Sequence, residues 1–376
     1  MRFVSWLQWS SRIVYGLILW TLTSDSRDLA YAYHVTGTGQ IADDHNTTVA
    51  LRGLSWFGFE TQDFVVNGLW VHSMDFYLDM LHRHRFNLLR IPVSAEWVYY
   101  NFDLYPDSGF VSADPAAQGR KSIEIMDALV DGCAQRGIGV MFDLHRLHKE
   151  YISEVWYSPT DNLFPAEVFF ETWNRLLLRY RDRPNLIAVD LLNEPHGRAT
   201  WGTGDLSTDW NAFVQYAIPK LDTLFPDGKW LYVVEGIEWG HTFDRYPSAP
   251  IRLPGTLERR LVFSPHTYGK SVVPQTSDDY NVLVQNWDYF FGFLKKTYGL
   301  ALMPGEWGGR TDLDMAWMQY LATYLRSLGV SNNCFWSLGP NSDDVQGLLL
   351  NDWTTVDQAK LDIIERINPT PTQFHW

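Results

Sequence analysis

One pattern recurs eight times along this chain: a short apolar run, in most cases followed by a stretch with helical apolar spacing. The apolar runs are 50–57, 88–92, 140–144, 187–192, 230–235, 260–264, 300–304 and 334–337. Helical spacing covers 74–85, 121–136, 166–181, 210–225, 279–298, 312–328 and 355–367. The segment 240–257 is rich in Pro and has no periodicity, so a helix there is expected to be short or missing. Alternating β and α elements imply a parallel sheet. Parallel strands buried on both faces read as near-continuous apolar runs, and these do. A doubly wound sheet usually carries a Gly-rich phosphate turn after a strand, and none is visible. The expectation is an α/β fold closed as a single-domain (β/α)8 TIM barrel, which a chain of 376 residues accommodates with long loops.

The chain is 46% hydrophobic and only 20% charged, which is a globular composition. Its formal net charge is −14, with no Lys/Arg-rich run. Nucleic acid is therefore not an expected partner, since binding it needs a basic footprint. A stable membrane partner is not expected either, and a neutral substrate fits. Eighteen Trp are more than a core needs, so some are expected on a surface that binds flat apolar faces, with packing between barrel and helices as the competing use. Residues 1–32 have a signal-peptide layout. Arg2 and Arg12 precede an apolar run at 13–22, and Ala30-Tyr31-Ala32 offers a cleavage site, although Asp25, Arg27 and Asp28 sit awkwardly before it. The apolar run is too short to span a bilayer. The expected product is a secreted, extracellular monomer comprising residues 33–376, with an uncleaved anchor as the alternative. Asn46-Thr47-Thr48 is a glycosylation sequon. No Pro/Ser-rich linker to an appended binding module is visible. Cys133 falls on a helix and Cys334 on the last strand, so two buried free thiols are expected.

The polar residues cluster at strand ends. Arg90 lies near the end of strand two, and Asp143, His145 and Arg146 close strand three. Asn193-Glu194-Pro195-His196 closes strand four, and Glu235 closes strand five. His266 and Tyr268 follow strand six, Glu306-Trp307 follows strand seven, and Trp336 ends strand eight. In a (β/α)8 barrel the carboxyl ends of the strands hold the active site. Two glutamates on strands four and seven suit glycoside hydrolysis, which needs one carboxyl to protonate the leaving oxygen and a second to attack the anomeric carbon or activate water. The two must differ in environment, one protonated and the other ionised. Arg90 and Tyr268 are available to hold Glu306 ionised. Blander uses compete: Asn-Glu-Pro can simply stop a strand, and Glu306 can be a solvated loop acid. His145 and His148 with His266 are the candidate metal ligands, but they lack the spacing of a zinc site, and His148 reads as a surface loop residue.

With these residues the sequence resembles glycoside hydrolase family 5, and in particular its secreted endo-β-1,4-glucanase-like branch. The resemblance runs through Arg90-Ile91-Pro92, Asp143-Leu144-His145-Arg146, Asn193-Glu194-Pro195-His196, Val234-Glu235-Gly236, His266-Thr267-Tyr268 and Gly305-Glu306-Trp307-Gly308, with further matches at 56–61 and 352–357. It implies Glu194 as acid/base and Glu306 as nucleophile, with retention of configuration. Asn193 would bond the sugar 2-hydroxyl, and Arg90 and Tyr268 would stabilise Glu306. His145 and His266 would line the subsite of the attacked sugar, with Trp336 as its platform. Trp156, Trp201 and Trp239 would extend the cleft. Trp307 replaces the usual Phe, which would reshape the subsite floor. No metal or organic cofactor is implied. The implied substrate is a β-glucan polysaccharide or oligosaccharide. The resemblance leaves open β-mannanase, β-1,3-glucanase, glycolipid glycosidase and transglycosylase activities, and a silent carbohydrate-binding protein is the reading from another class.

Overall fold

A computed structural model describes residues 32–160 and 162–376, so the leader expected at 1–32 lies, but for Ala32, outside the described residues. A small antiparallel hairpin, β1 (Tyr33–Val35) and β2 (Ile41–Asp43), comes first. The barrel then runs through β3 (Arg52–Ser55), β4 (Leu88–Ser94), β5 (Gly139–Arg146), β6 (Leu186–Asp190), β7 (Leu231–Glu235), β8 (Leu261–Ser264), β9 (His266–Tyr268), β10 (Glu306–Gly308) and β11 (Asn333–Phe335). All these strands pair in parallel, in the order β8-β7-β6-β5-β4-β3-β11-β10-β9. Strands β8 and β9 are one barrel strand interrupted at Pro265, which cannot donate to a ladder. Below the break Phe263 bridges Leu302, and above it His266 pairs with Glu306, so the sheet closes as a (β/α)8 barrel.

Seven of the expected strand–helix units carry their helices: α1 (Met74–Arg83), α2 (Ser122–Gln135), α3 (Ala166–Tyr180), α4 (Trp210–Leu224), α5 (Tyr280–Trp287) with α6 (Phe293–Tyr298), α7 (Met315–Ser327) and α8 (Gln358–Ile367). Ser73, Asp209, Asp279 and Asp357 start four of them by accepting main-chain N–H groups of the first turn. The helix expected over 279–298 is divided by a π-helical turn, Asp288–Gly292. Phe290 in that turn offers its carbonyl to the N–H of Phe243, 2.8 Å away, and so anchors the loop after β7. Between β7 and β8 the described residues contain only a 3-10 turn, Leu257–Arg260, in line with the Pro-rich aperiodic segment.

The alternation of side chains along the strands builds two layers. Leu89, Ile91, Val140, Phe142, Tyr232 and Val234 face outward and pack under the helices. Leu88, Met141, Leu231, Val233, Val262 and Met303 fill the barrel interior, and Tyr33 and Ile41 of the hairpin pack onto that interior cluster. One step further along the same inward faces, the residues become Arg90, Asp143, Asp190 and Glu235, all fully buried. A charged layer thus rests directly on an apolar one. Cys133 belongs to the outer layer and Cys334 to the inner, and both are free and buried. No helix among the described residues is long and apolar enough to cross a membrane.

Candidate active site

Arg90 organises the charged layer. Its Nη1 lies 2.5 Å from Glu306 Oε1, and its Nη2 donates to Asn193 Oδ1 at 2.9 Å. Asp143, Asp190 and Glu235 stand 3.1, 3.2 and 3.3 Å from Nη2. A guanidinium buried this deeply requires such pairing. Asp143 also meets His145 Nδ1 at 2.7 Å. Burial keeps the His145 imidazole neutral and pushes the Asp143 carboxyl well above its ordinary range. His145 therefore stands beside Glu306 as a neutral neighbour, 3.9 Å from Oε1.

Glu306 opens β10 and sits directly opposite His266 in the ladder, with Gly308 opposite Tyr268. The Tyr268 hydroxyl donates to Glu306 Oε2 at 2.6 Å. Glu194 follows β6 on a main chain at φ 51°, a left-handed conformation that a side chain with a Cβ rarely adopts. That turn brings its carboxyl to His266, whose Nδ1 is 3.1 Å from Glu194 Oε1 and 3.6 Å from Glu306 Oε2. One oxygen of Glu194 and one of Glu306 lie within 4.8 Å of each other. Burial lifts the Glu194 carboxyl to about 7 against the pull of His266, and the charge of Glu306 adds to the rise. Burial would raise Glu306 as well, but His266, Arg90 and the Tyr268 hydroxyl overcome it and hold Glu306 at about 2. One carboxyl is thus kept protonated and its neighbour ionised. Among the described residues, the groups close enough to share a metal are Asp190, Glu235 and His266, and Glu194, His266 and Glu306. They are these same side chains, of which Asp190, Glu235 and Glu306 pair with Arg90.

These groups open into a cleft of about 670 Å³ that Trp239, Trp336 and Tyr268 also line. Trp336 lies parallel to His145 and Phe57, with ring centroids 5.3 and 5.5 Å apart. Trp239 is half exposed and stacks on His196 at 3.4 Å. A larger depression, about 770 Å³, opens around Tyr33, Trp230 and Phe374 and lacks a buried ionisable cluster.

The structure overturns three sequence-based expectations about tryptophans. Trp156 is buried and stacks on Phe213 at 3.9 Å, so it is core between barrel and helices and not cleft wall. Trp201 is buried too, its Nε1 donating to Ala249 O at 2.8 Å. Trp307 points outward between Glu306 and Gly308, and its Nε1 donates to Asn333 Oδ1 at 3.0 Å, so it does not reach the cleft floor. The expected strand at 300–304 also begins too early: its ladder residues are Leu302 and then Glu306–Gly308, which puts Glu306 on the strand itself. Asp190 is a site residue that sequence reasoning misses, although a lone Asp ending the apolar run Leu186–Asp190 is the signal that marks it.

Known proteins share this fold. The model of the family described as cellulase (glycosyl hydrolase family 5) matches residues 42–342. The chain is 35% identical to an endoglucanase of Paenibacillus polymyxa, over 94% of this chain and 92% of that one. It is 33% identical to the major extracellular endoglucanase of Xanthomonas campestris pv. campestris, over 91% of this chain and 73% of that one. The solved catalytic domain of the Xanthomonas major endoglucanase superposes with a TM-score of 0.82 at 32% identity, covering 90% of this chain and all of that one (100%). An endocellulase from Pyrococcus horikoshii, solved in complex with cellotetraose, gives 0.81 at 28% identity, covering 90% of this chain and 98% of that one. The chain belongs to the cellulase family, glycosyl hydrolase family 5.

Proposed function

We propose that this protein hydrolyses internal β-1,4-glucosidic bonds of cellulose or related β-glucans by double displacement, with net retention. The observation that carries the reading is the approach of Glu194 and Glu306 to within 4.8 Å, one held protonated and the other ionised. Retaining enzymes keep their carboxyls about 5–5.5 Å apart, whereas inverting ones leave about 6.5–9.5 Å for a water. Glu306 Oε attacks the anomeric carbon as Glu194 gives its proton to the leaving oxygen, forming a glycosyl-enzyme. Glu194, now ionised, takes a proton from water, which attacks the same carbon and frees Glu306. Arg90 and the Tyr268 hydroxyl orient Glu306 for attack. Asn193 has its Oδ1 engaged by Arg90 while its Nδ2 is buried without a partner, so it is ready to donate to the sugar 2-hydroxyl. Trp336 offers a face for the sugar bound there, and Trp239 one beyond it.

Endoglucanase relatives, one of them extracellular by name, support the substrate and a secreted protein, and the leader-like layout of residues 1–32 supports their removal. The test is reducing-sugar release from carboxymethyl cellulose, barley β-glucan, mannan and laminarin, with Glu306→Gln beside the wild type. Activity on the first two, abolished in the variant, is expected. Activity on mannan or laminarin alone would keep the chemistry and replace the substrate.

A further inference from the structure

Glu235 is a fully buried carboxylate that the reaction steps leave unused. It closes β7 behind Glu194 and His266, which line the cleft. Its Oε2 accepts the main-chain N–H of Glu194 at 2.7 Å. Its Oε1 lies 3.3 Å from Arg90 Nη2 and 3.1 Å from His266 Nε2. The last contact lacks hydrogen-bond geometry and is an ion pair. The other nitrogen of the same ring is the one that touches Glu194 Oε1 at 3.1 Å. Glu235 therefore grips Glu194 twice, directly at the main chain and through His266 at the carboxyl.

The hairpin after β7 seals this contact. Gly236 bridges Gly240 and Ile237 bridges Thr242, while Gly240 O accepts the N–H of His266 at 3.0 Å. A Cβ on Gly240 would stand 2.7 Å from Glu235 Oε2 and 3.0 Å from the His266 ring, so only glycine permits this cover. Water is kept off the ion pair, which strengthens it. The left-handed main chain at Glu194 is strained for a residue with a Cβ and needs surroundings that over-determine it. The Glu235 carboxyl, which burial lifts to about 7 against the pull of His266 and Arg90, accepts that N–H and supplies one such restraint.

We infer that Glu235 is a positioning residue, which clamps the left-handed main chain at Glu194 and holds His266 as a cation between the two reacting carboxyls. The inference rests on the roles proposed for Glu194 and Glu306. Facing Glu235 are Arg90 from β4, Asp190 from β6 and His266 from β9. His266 faces Glu194, Glu235 and Glu306, with Asp143, His145, Asp190 and His241 further out. Burial alone would neutralise the ring, but the surrounding carboxylates keep it charged.

The experiment is kcat/KM against pH on an aryl β-cellobioside for the full chain and its Glu235→Gln, Glu235→Asp and Glu306→Gln variants. An amide at 235 still accepts the Glu194 N–H but no longer balances His266. Loss of the Glu235 charge by itself would lower the Glu194 carboxyl, but the nearer His266 cation acts on it more strongly, so with that cation lost Glu194 keeps its proton to higher pH. Glu235→Gln is expected to lose about 10- to 100-fold in kcat/KM and to move the upper limb of the profile up by about one pH unit. Glu235→Asp, which retains the charge, keeps the limb at the wild-type position with a lower kcat. An unmoved limb in folded Glu235→Gln, or an equal shift in Glu235→Asp, overturns the inference. If Glu235→Gln does not fold, wild-type [15N]histidine spectra decide, with His266 assigned by its loss in His266→Ala. A ring still protonated above pH 7 supports the clamp, and one titrating near its ordinary value of about 6.5 refutes it. A Glu306→Gln variant that stays active would instead bring down the underlying assignment of roles.

Discussion

Tyr268→Phe isolates the interaction that keeps Glu306 ionised. The substitution removes one hydroxyl, 2.6 Å from Glu306 Oε2, and leaves the ring in place. Burial and the nearby Glu306 hold the phenol far above its ordinary range, so it is a donor at every working pH. A hydrogen bond to a charged group contributes about 1.5–3 kcal/mol, which corresponds to about 1–2 pKa units. Glu306, held at about 2 in the wild type, would rise by that amount. As the proposed nucleophile it reacts in its ionised form, so the acid limb of kcat/KM is expected to move up by the same interval. At neutral pH both enzymes keep Glu306 ionised, and the variant loses only what misorientation costs. Below the new limb it falls behind by about tenfold for each pH unit. The assay is kcat/KM on an aryl β-cellobioside from about pH 2.5 to about pH 8, which spans the upper limb of both enzymes and the acid limb expected of the variant, while the wild type is expected to stay flat down to the lowest pH. Circular dichroism at each pH establishes that the fold persists. A folded variant whose acid limb stays where the wild type has it would refute this origin of the Glu306 charge.

Other consequences are more quickly checked. As the proposed acid, Glu194 works only while protonated, and its carboxyl is lifted to about 7, so wild-type kcat/KM is expected to fall about tenfold per pH unit above that value, read from the same profile. Trp156→Ala empties a buried site against Phe213 and should cost about 3–5 kcal/mol of stability, while the activity of each folded molecule is kept. Loss of activity without loss of Tm would return Trp156 to the cleft. Trp239→Ala removes a half-exposed ring that covers His196, and should raise KM on longer oligosaccharides by about 2- to 10-fold with little change in Tm. Equal KM effects on short and long substrates would argue against a role beyond the attacked sugar.

Much of this architecture is legible because a barrel strand leaves a simple trace. Each run is apolar on both faces until its carboxyl end, where inward residues turn polar. Arg90, Asp143, Glu194, Glu235 and Glu306 all sit at that transition. What fails to show has equally definite causes. A Trp in a strand-end loop reads the same whether it faces solvent or folds back under a helix, and Trp156 and Trp201 fold back. Pro304-Gly305 looks like the end of a strand, yet the ladder resumes at Glu306, because His266 across the way resumes it as well. The π turn at Asp288–Gly292 keeps helical spacing, so nothing in the apolar pattern betrays it. Its consequence, the anchoring of Phe243, depends on a carbonyl that only three-dimensional packing exposes. Asp190 ends its strand, but Leu191 and Leu192 carry the apolar run on and blur that signal, and its meaning depends on Arg90 two strands away.

The stereochemistry of the first product tests the central claim most directly. Proton NMR of a cello-oligosaccharide digest, recorded before mutarotation, reports the anomer released at the new reducing end. Two carboxyls within 4.8 Å predict the β-anomer, formed through a glycosyl-enzyme on Glu306. Initial release of the α-anomer would mean a single displacement by water, and would contradict Glu194 as acid/base and Glu306 as nucleophile.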